Sequence, residues 1–452
     1  MSDSVEGLNA LPTQEGFAAI AAQLREAIQG EEAFTLRLTA EASQFLRFNQ
    51  AKVRQTGCVT ASTWTLTLLT PQRSAYRSQD YSGDLETDWP LIRGALAELR
   101  AELTLLPDDP YVVLPQGNAQ SQDVYVGELL DPRAAAAEIL TPLAGLDAVG
   151  IYAAGTQLRG YADSAGQLHW FATETFTLDY SLFTPTGQAV HNTFAGNRWQ
   201  PDAYAKTLAG AREQLARLAQ PPKTLPKGQY RTYLAPMAVA ELMGMLSWGA
   251  VSEGAMQRGG SALQRLRQGE ETLSPLFSLR ENFALGLVPR FNDRGVMAPV
   301  EMPVITQGEL TQTLISERTA KEYGLVANGA DAWEGLRSPE VAPGDLAQDA
   351  ILSSLDTGLY VSNLHYLNWS DRAAGRITGM TRYACFWVEN GKIVAPIEDL
   401  RFDESLYRLF GDRLLALTQD QTLVMDVGSY GYRDLGGSLI PGALVESMTY
   451  TL

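Results

Sequence analysis

The chain has 452 residues, 45% of them hydrophobic and 19% charged, with 52 acidic against 35 basic side chains. That length exceeds what one hydrophobic core usually supports and points to two or three domains. A formal net charge of −17, with no local run of Lys or Arg, argues against nucleic acid as a partner. The first strong pattern is helical: Phe17, Ile20, Ala21, Leu24, Ala27 and Ile28 recur at spacings of three and four, and Gly30 marks a stop. Period-two segments follow. AFTLRLTA sets Phe34, Leu36 and Leu38 on one face, SQFLRFNQ places Phe45 opposite Leu46, and CVTASTWTLTLLT alternates Trp64, Leu66 and Leu68 with threonines. Helical period returns through Leu91, Ile92, Leu96, Leu99 and Leu103. A second set of strands then spans GIYAAGTQLRGYADSAGQLHWFATETFTLDYSLF, and DAYAKTLAGAREQLARLA is a further helix.

Strands in runs, with helices between or beside them, predict an α+β fold rather than a regular βαβ alternation. QPPKTLPKGQ, residues 220–229, is the linker candidate, with three prolines and a glycine. It divides an N-terminal α+β domain, 1–219, from a β-rich domain with helices, 230–452. The second domain opens with a strand, YRTYLAP, and a helix, MAVAELMGMLSW, and continues as strands and turns. The opening residues lack the basic-then-apolar order of a secretory signal, and no stretch of about 18 apolar residues exists to cross a bilayer. With only Cys58 and Cys385 there is no disulfide framework. These features predict a cytoplasmic protein without a membrane partner.

The histidines are His169, His191 and His365 alone, so no paired-histidine zinc motif is present. His169, in QLHWFATE, reads as a sheet histidine satisfied by hydrogen bonds, and His191, close to a turn, reads the same way. No GxSxG elbow, GxGxxG or GxxxxGK[ST] loop occurs. MDVGSYGYRDLGGSLIPG reads as turns and a flexible loop, and Glu398 and Asp399 read as a solvated loop more than as acid/base groups. Cys385 lies in TRYACFWVENGKIV, apolar on both strand faces, which predicts a buried thiol with a raised pKa. The Asn-Gly of ENGK then turns a hairpin. No catalytic residue and no cofactor emerges from these residues.

The block GLYVSNLHYLNWSDRAAGRITGMTR, followed by a strand, ENGKIVAPIEDLRFDESL and a last helix, resembles the TldD/PmbA family. RFNQAKVRQTG and GYADSAG, earlier in the chain, resemble it too. In TldD-type members the resemblance implies an HExxxH motif on a helix and a C-terminal cysteine as zinc ligand. Registered without a gap on YRTYLAPMAVAELMGMLSWGAVSEGAMQRGGSAL, the motif falls on Gly244, Met245 and Gly249, and the last sixty residues hold no cysteine. The resemblance therefore implies a TldE-type, metal-free subunit with a TldD-type zinc protease subunit as partner and a peptide as substrate. The helix keeps its apolar stripe of Val239, Leu242, Met243 and Leu246, as a packing element would. A stand-alone homo-oligomer, such as a homodimer acting as a binding or scaffold protein, is the alternative. Because peptides commonly add to a sheet edge, the alternating segment ILSSLDTGLYVSNLHYLNW is expected to supply one. The cleft is expected at His365, Tyr366, Asn368, Trp369, Thr381 and Arg382, with a buried strand as the competing reading.

Overall fold

A computed structural model describes residues 11–451 of the chain. The first helix, α1 (Gln14–Ala27), begins where the Thr13 hydroxyl accepts from the Gly16 amide at 3.1 Å, and it buries Phe17, Ile20, Ala21 and Leu24 as the spacing predicts. It lies on a seven-stranded sheet built from β1 (Ala33–Asn49), β2 (Lys52–Leu69), β3 (Ser74–Asp80), β4 (Gln120–Tyr125), β5 (Asp147–Asp163), β6 (Leu168–Phe183) and β7 (Ala189–Gly196). The strand order is β3-β2-β1-β5-β6-β4, and β7 pairs with the other end of β6. Helices α2 (Leu85–Leu103), α3 (Ala135–Leu140) and α4 (Pro201–Leu218) complete this half.

Alternation gives the sheet two unlike faces. Leu36, Leu38, Trp64, Leu66, Leu68 and Leu158 pack with α1 and α2 in one apolar cluster. Leu46, Phe48, Tyr152, Phe176 and Leu178 pack with α3 and α4 in another. The opposite face carries Glu41, Ser43, Gln157, His169, Thr173 and Thr175, and all six are buried. The second half of the chain covers it.

That half is a thirteen-stranded sheet centred on β8 (Gly228–Leu234), which pairs parallel with Gly358–Val361 and antiparallel with Gly437–Tyr450. Directly after β8, α5 (Pro236–Gly249) starts with proline in its first turn, where a missing N–H costs nothing, and buries Val239, Leu242, Met243 and Leu246. Among the described residues, Asn363–Asp371 pairs only with Arg376–Arg382, and no strand pairs with its other edge. The Asn390-Gly391 turn has positive φ at both residues, as a two-residue hairpin requires.

Two local expectations are corrected. Ile351–Leu355 is a helical turn and Gly358–Val361 an interior strand, so only Asn363–Asp371 of the alternating segment is an edge. The expected last helix is a single wide turn, Arg408–Asp412, between strands. The segment 220–229 is held in place: the Lys223 amide donates to the Pro396 carbonyl at 2.7 Å, Lys223 Nζ pairs with Glu389 at 2.9 Å, and Gly228 and Gln229 already belong to β8.

The glycine-rich segment near the C-terminus is also tied down: its last residues, from Gly437, belong to the final strand, and residues 426–436, which form no regular element, are held by Arg433. Arg433, 4% exposed, inserts its guanidinium into the polar face of the first sheet. Nη2 donates to the Thr175 carbonyl and hydroxyl at 3.1 and 2.9 Å, and Nη1 donates to the Gly155 carbonyl at 3.3 Å. Gly155, at φ +148°, lets β5 approach β1 so closely that a Cβ there would lie 2.0 Å from the Ala42 carbonyl oxygen. The Arg433 amide donates to Glu41, and Gln157 donates to the carbonyls of Arg433 and Asp434 at 2.7 and 3.2 Å. Burial lowers the Arg433 pKa to about 10, so the side chain still carries its charge at neutral pH. Removing it would orphan several buried acceptors. Arg433→Met is expected to destabilise the protein by about 2–4 kcal/mol, read as a lowered urea midpoint and faster proteolysis after Met425. An unchanged midpoint would contradict this role.

Candidate functional site

The helix α5 packs beside the edge strand Asn363–Asp371, and the candidate site lies along their junction. On α5, Gly244 is exposed with open space above it, while Met245 is 5% exposed and turned into the core. Gly249 is buried. A Cβ built there would fall 2.6 Å from Trp369 Nε1 and 3.2 Å from Arg372 Nε, so the indole occupies the space a side chain at 249 would need. Five residues of regular helix also turn 244 and 249 about 140° apart. Arg372 lies between two aromatic rings, 5.4 Å from Trp248 and 5.9 Å from Trp369, a cation–π pairing that fixes this corner.

Gly244 opens onto a cleft of about 300 Å³ shared with Ser247, Trp248, Arg337, Asp426 and Ser438. The Ser247 hydroxyl accepts from the Leu336 amide at 2.9 Å, which ties α5 to the far wall. The surrounding protein mass pushes the Asp426 carboxyl up to about 6, and the nearby Asp434 charge adds to the shift. Sequence reasoning did not single out Asp426, Ser438 or Arg337, because they come from segments remote from α5 and carry no motif.

The residues expected to line a cleft divide into separate groups. His365, Tyr366 and Asn368 stand exposed on the edge strand, and Tyr366 is 81% exposed. The ladder slips between His365 and Asn368, and Tyr366 takes φ +58°, a strained geometry for a bulky residue. The rings of His365 and Tyr366 meet edge to face at 4.9 Å. Trp369 turns toward α5. Thr381 does not belong with them: it is fully buried, its hydroxyl accepts from the Leu400 amide at 2.8 Å, and it serves strand pairing. Arg382 lies at the other end of the hairpin. It lines a cavity of about 370 Å³ with Tyr383, Glu398 and Asp399 against the Ser181 to Ala189 region of the first half. Glu398 and Asp399 are solvent-exposed, as their sequence context suggests. Enclosure nevertheless raises the Asp399 pKa against the opposing charges of Arg382 and His365.

The remaining histidines and the buried cysteine are structural. His169 is buried, with Nδ1 2.9 Å from the Ser121 hydroxyl, Nε2 3.2 Å from Gln167 Oε1, and its ring stacked on Phe291. Desolvation lowers its pKa. His191 lies 3.2 Å from the Ser181 hydroxyl and stacks on Tyr383 at 4.9 Å. Cys385 donates to the Arg382 carbonyl, and burial pushes its thiol up to about 11.

The donor chemistry at the registered motif positions does not fit a zinc ion. Glycine supplies no ligand, Met245 points into the core, and Trp369 covers Gly249. Among the described residues, no group of three or more His, Cys, Asp or Glu converges as a metal site would require.

Two substitutions in α5 should therefore differ in sign. Gly249→Ala, with its Cβ against the indole, is expected to cost about 1–3 kcal/mol. Gly244→Ala, entering open space in a helix, should stabilise by about 0.5–1 kcal/mol. Thermal or urea unfolding of both variants checks the pair, and equal effects would contradict the packing of Trp369. Asp426 gives a pH signature. Its folded pKa of about 6 lies above the ordinary 3.8, so its contribution to stability is complete below that ordinary value. The contribution is lost as pH rises toward 6, and Asp426→Asn should flatten that decline while leaving stability at pH 3.5 unchanged. Unfolding midpoints across this range, with a ¹³C carboxyl titration, test it.

Residues 227–452 match the family profile described as the PmbA/TldA metallopeptidase C-terminal domain. The chain is 29% identical over 195 residues to the metalloprotease PmbA of Escherichia coli O157:H7, a match spanning 42% of this chain and 41% of that relative. The solved structure of TldE from Thermococcus kodakarensis superposes with a TM-score of 0.76 at 13% identity, covering 97% of this chain and all of that one. A candidate modulator of a DNA gyrase from Thermotoga maritima superposes with a TM-score of 0.77 at 16% identity, again over 97% of this chain and all of that one. At such identities the likeness speaks for the fold. With a family profile covering the whole second half, from β8 to the last strand, the chain belongs to the PmbA/TldD family.

Proposed function

We propose that this protein is a metal-free, TldE-like subunit that pairs with a zinc-bearing, TldD-type subunit and helps enclose the peptide that the partner cleaves. The observation that carries the reading is the corner at Gly249, where the Trp369 indole fills the place of a would-be ligand side chain. A helix stripped of ligands and closed over by aromatic packing suits a wall better than a catalytic centre. The open edge of Asn363–Asp371 supports the second half of the reading. Its unpaired amides and carbonyls can hydrogen-bond an extended chain, and the exposed His365, Tyr366 and Asn368 stand where alternate side chains of such a peptide would fall. Trp369, on the same strand, turns toward α5 and borders the groove on that side. Among the described residues, no helix is long and apolar enough to cross a membrane.

The test is reconstitution with a TldD-type protein from the same source. The two chains should co-elute, and the complex should cleave peptides in a chelator-sensitive way. The chain alone should neither hydrolyse peptides nor retain stoichiometric zinc after dialysis. In the complex, His365→Ala together with Asn368→Ala is expected to raise KM about tenfold with little change in kcat, as loss of uniform binding would. Tight zinc on the isolated chain, or unaided chelator-sensitive cleavage, would overturn the proposal. Failure to co-elute, with a stable homo-oligomer in its place, would favour a stand-alone scaffold.

A further inference from the structure

A second cavity, of about 270 Å³, lies between the two halves of the chain, away from the edge strand. Its floor is the polar face of the first sheet, where Thr39 of β1 sits opposite Arg159 of β5, and Arg37 lies opposite Thr65 and Tyr161. Its roof comes from the second half and includes Asp293 and Asp331. The lower wall carries arginines, and the upper wall carries both aspartates together with Arg337.

These groups are under-used within the protein. The Arg159 guanidinium has five N–H donors, yet its one protein acceptor among the described residues is the Leu158 carbonyl, at 2.8 Å from Nη1. Burial lowers its pKa to about 10, against the opposing pull of Glu41 and Asp434, neither of which hydrogen-bonds it among the described residues. Arg37 Nη1 stands 4.0 Å from Asp293 Oδ2, too far for a hydrogen bond, and Asp293 Oδ1 is enclosed without a partner. Asp331 accepts from the Trp333 amide through Oδ1 and leaves its other oxygen uncommitted. Arg337, which also lines the cavity, differs: it spends its donors on the carbonyls of Pro289, Arg290, Phe291 and Gly329, and so shapes the wall only.

An inorganic anion would face two carboxylates here, and a simple cation would face the guanidinium groups of Arg37, Arg159 and Arg337. A ligand bearing both charges satisfies both walls at once. The volume lies at or just below the ~300–1,000 Å³ of ordinary ligand pockets, which limits the occupant to one or two residues of chain. We propose that this cavity binds a free amino acid or a dipeptide, with its carboxylate on Arg159 and Arg37 and its ammonium on Asp293 and Asp331. The inference does not depend on the proteolytic reading of the edge strand.

Isothermal titration calorimetry of the full chain with leucine, alanylalanine and glycylleucine tests it. At least one should bind saturably in the millimolar range or tighter. N-acetylation or C-amidation of that ligand should each weaken binding about tenfold or more. Arg159→Gln should do the same, and so should Arg37→Gln, whose side chain is partly exposed and whose folding is the safer of the two. Thermal unfolding of both variants confirms that they are folded. Three outcomes would overturn the proposal: no saturable binding of any of the three probes, equal affinity for the blocked forms, or equally tight binding of inorganic phosphate.

Discussion

The buried guanidinium of Arg433 joins the two sheets, and much of the molecule is arranged around that one contact. Its guanidinium donates to oxygens of Gly155 and Thr175 and feels the nearby Glu41 carboxylate, while its own backbone is held by Glu41 and Gln157. A polar surface of this kind is costly to bury unless every group finds a partner, so the seam fixes the relative placement of the halves more tightly than apolar packing would. Aromatic contacts reinforce it, with Tyr161 and Phe171 of the first half clustered with Phe291 of the second. The seam also explains the cavities. Where the polar face of the first sheet carries Arg159 and Arg37, whose guanidinium donors are largely unused within the protein, the halves leave a cavity between them.

The site at α5 follows a different logic. Of the positions that the TldD/PmbA resemblance associates with the metal motif, Gly244 stays open to the cleft, while Met245 and Gly249 here serve packing. Gly249 permits Trp369 to close onto the helix, Arg372 bridges Trp369 and Trp248, and Met245 joins the core. The exposed edge strand beside it is bulged and strained at Tyr366, and local strain of this kind is found where a surface meets a ligand. The result is a groove with hydrogen-bonding capacity on one side and aromatic bulk on the other.

Much of the fold was legible in the sequence because it rests on local periodicity. The three- and four-residue spacing of α1 and α5, the alternation of β1 and β2, and the Asn-Gly turn at 390–391 depend on nearest neighbours along the chain. The structural character of His169 and Cys385 was legible for the same reason, since apolar neighbours on a strand imply burial. The threonine-rich faces were not interpretable in this way. Thr173 and Thr175 look like residues of a solvated surface until a second sheet covers them. The glycine-rich stretch near the C-terminus looked loose because glycine signals local freedom, whereas Arg433 within it is fixed by partners some 260 to 390 residues away. Thr381 was expected in the cleft and is instead buried, because residue identity alone does not say which face of a strand a side chain takes.

The sequence alone determined the element types, the α+β class, the family resemblance and the absence of ligating side chains at positions 244, 245 and 249. Each of these is a property of residue identity or of spacing along the chain. The tertiary structure decided that Trp369 covers Gly249, that Asp426 faces the cleft beside Gly244, and that one face of the first sheet is sealed by Arg433. Such contacts depend on register and burial between distant segments, and no local pattern of side chains encodes them.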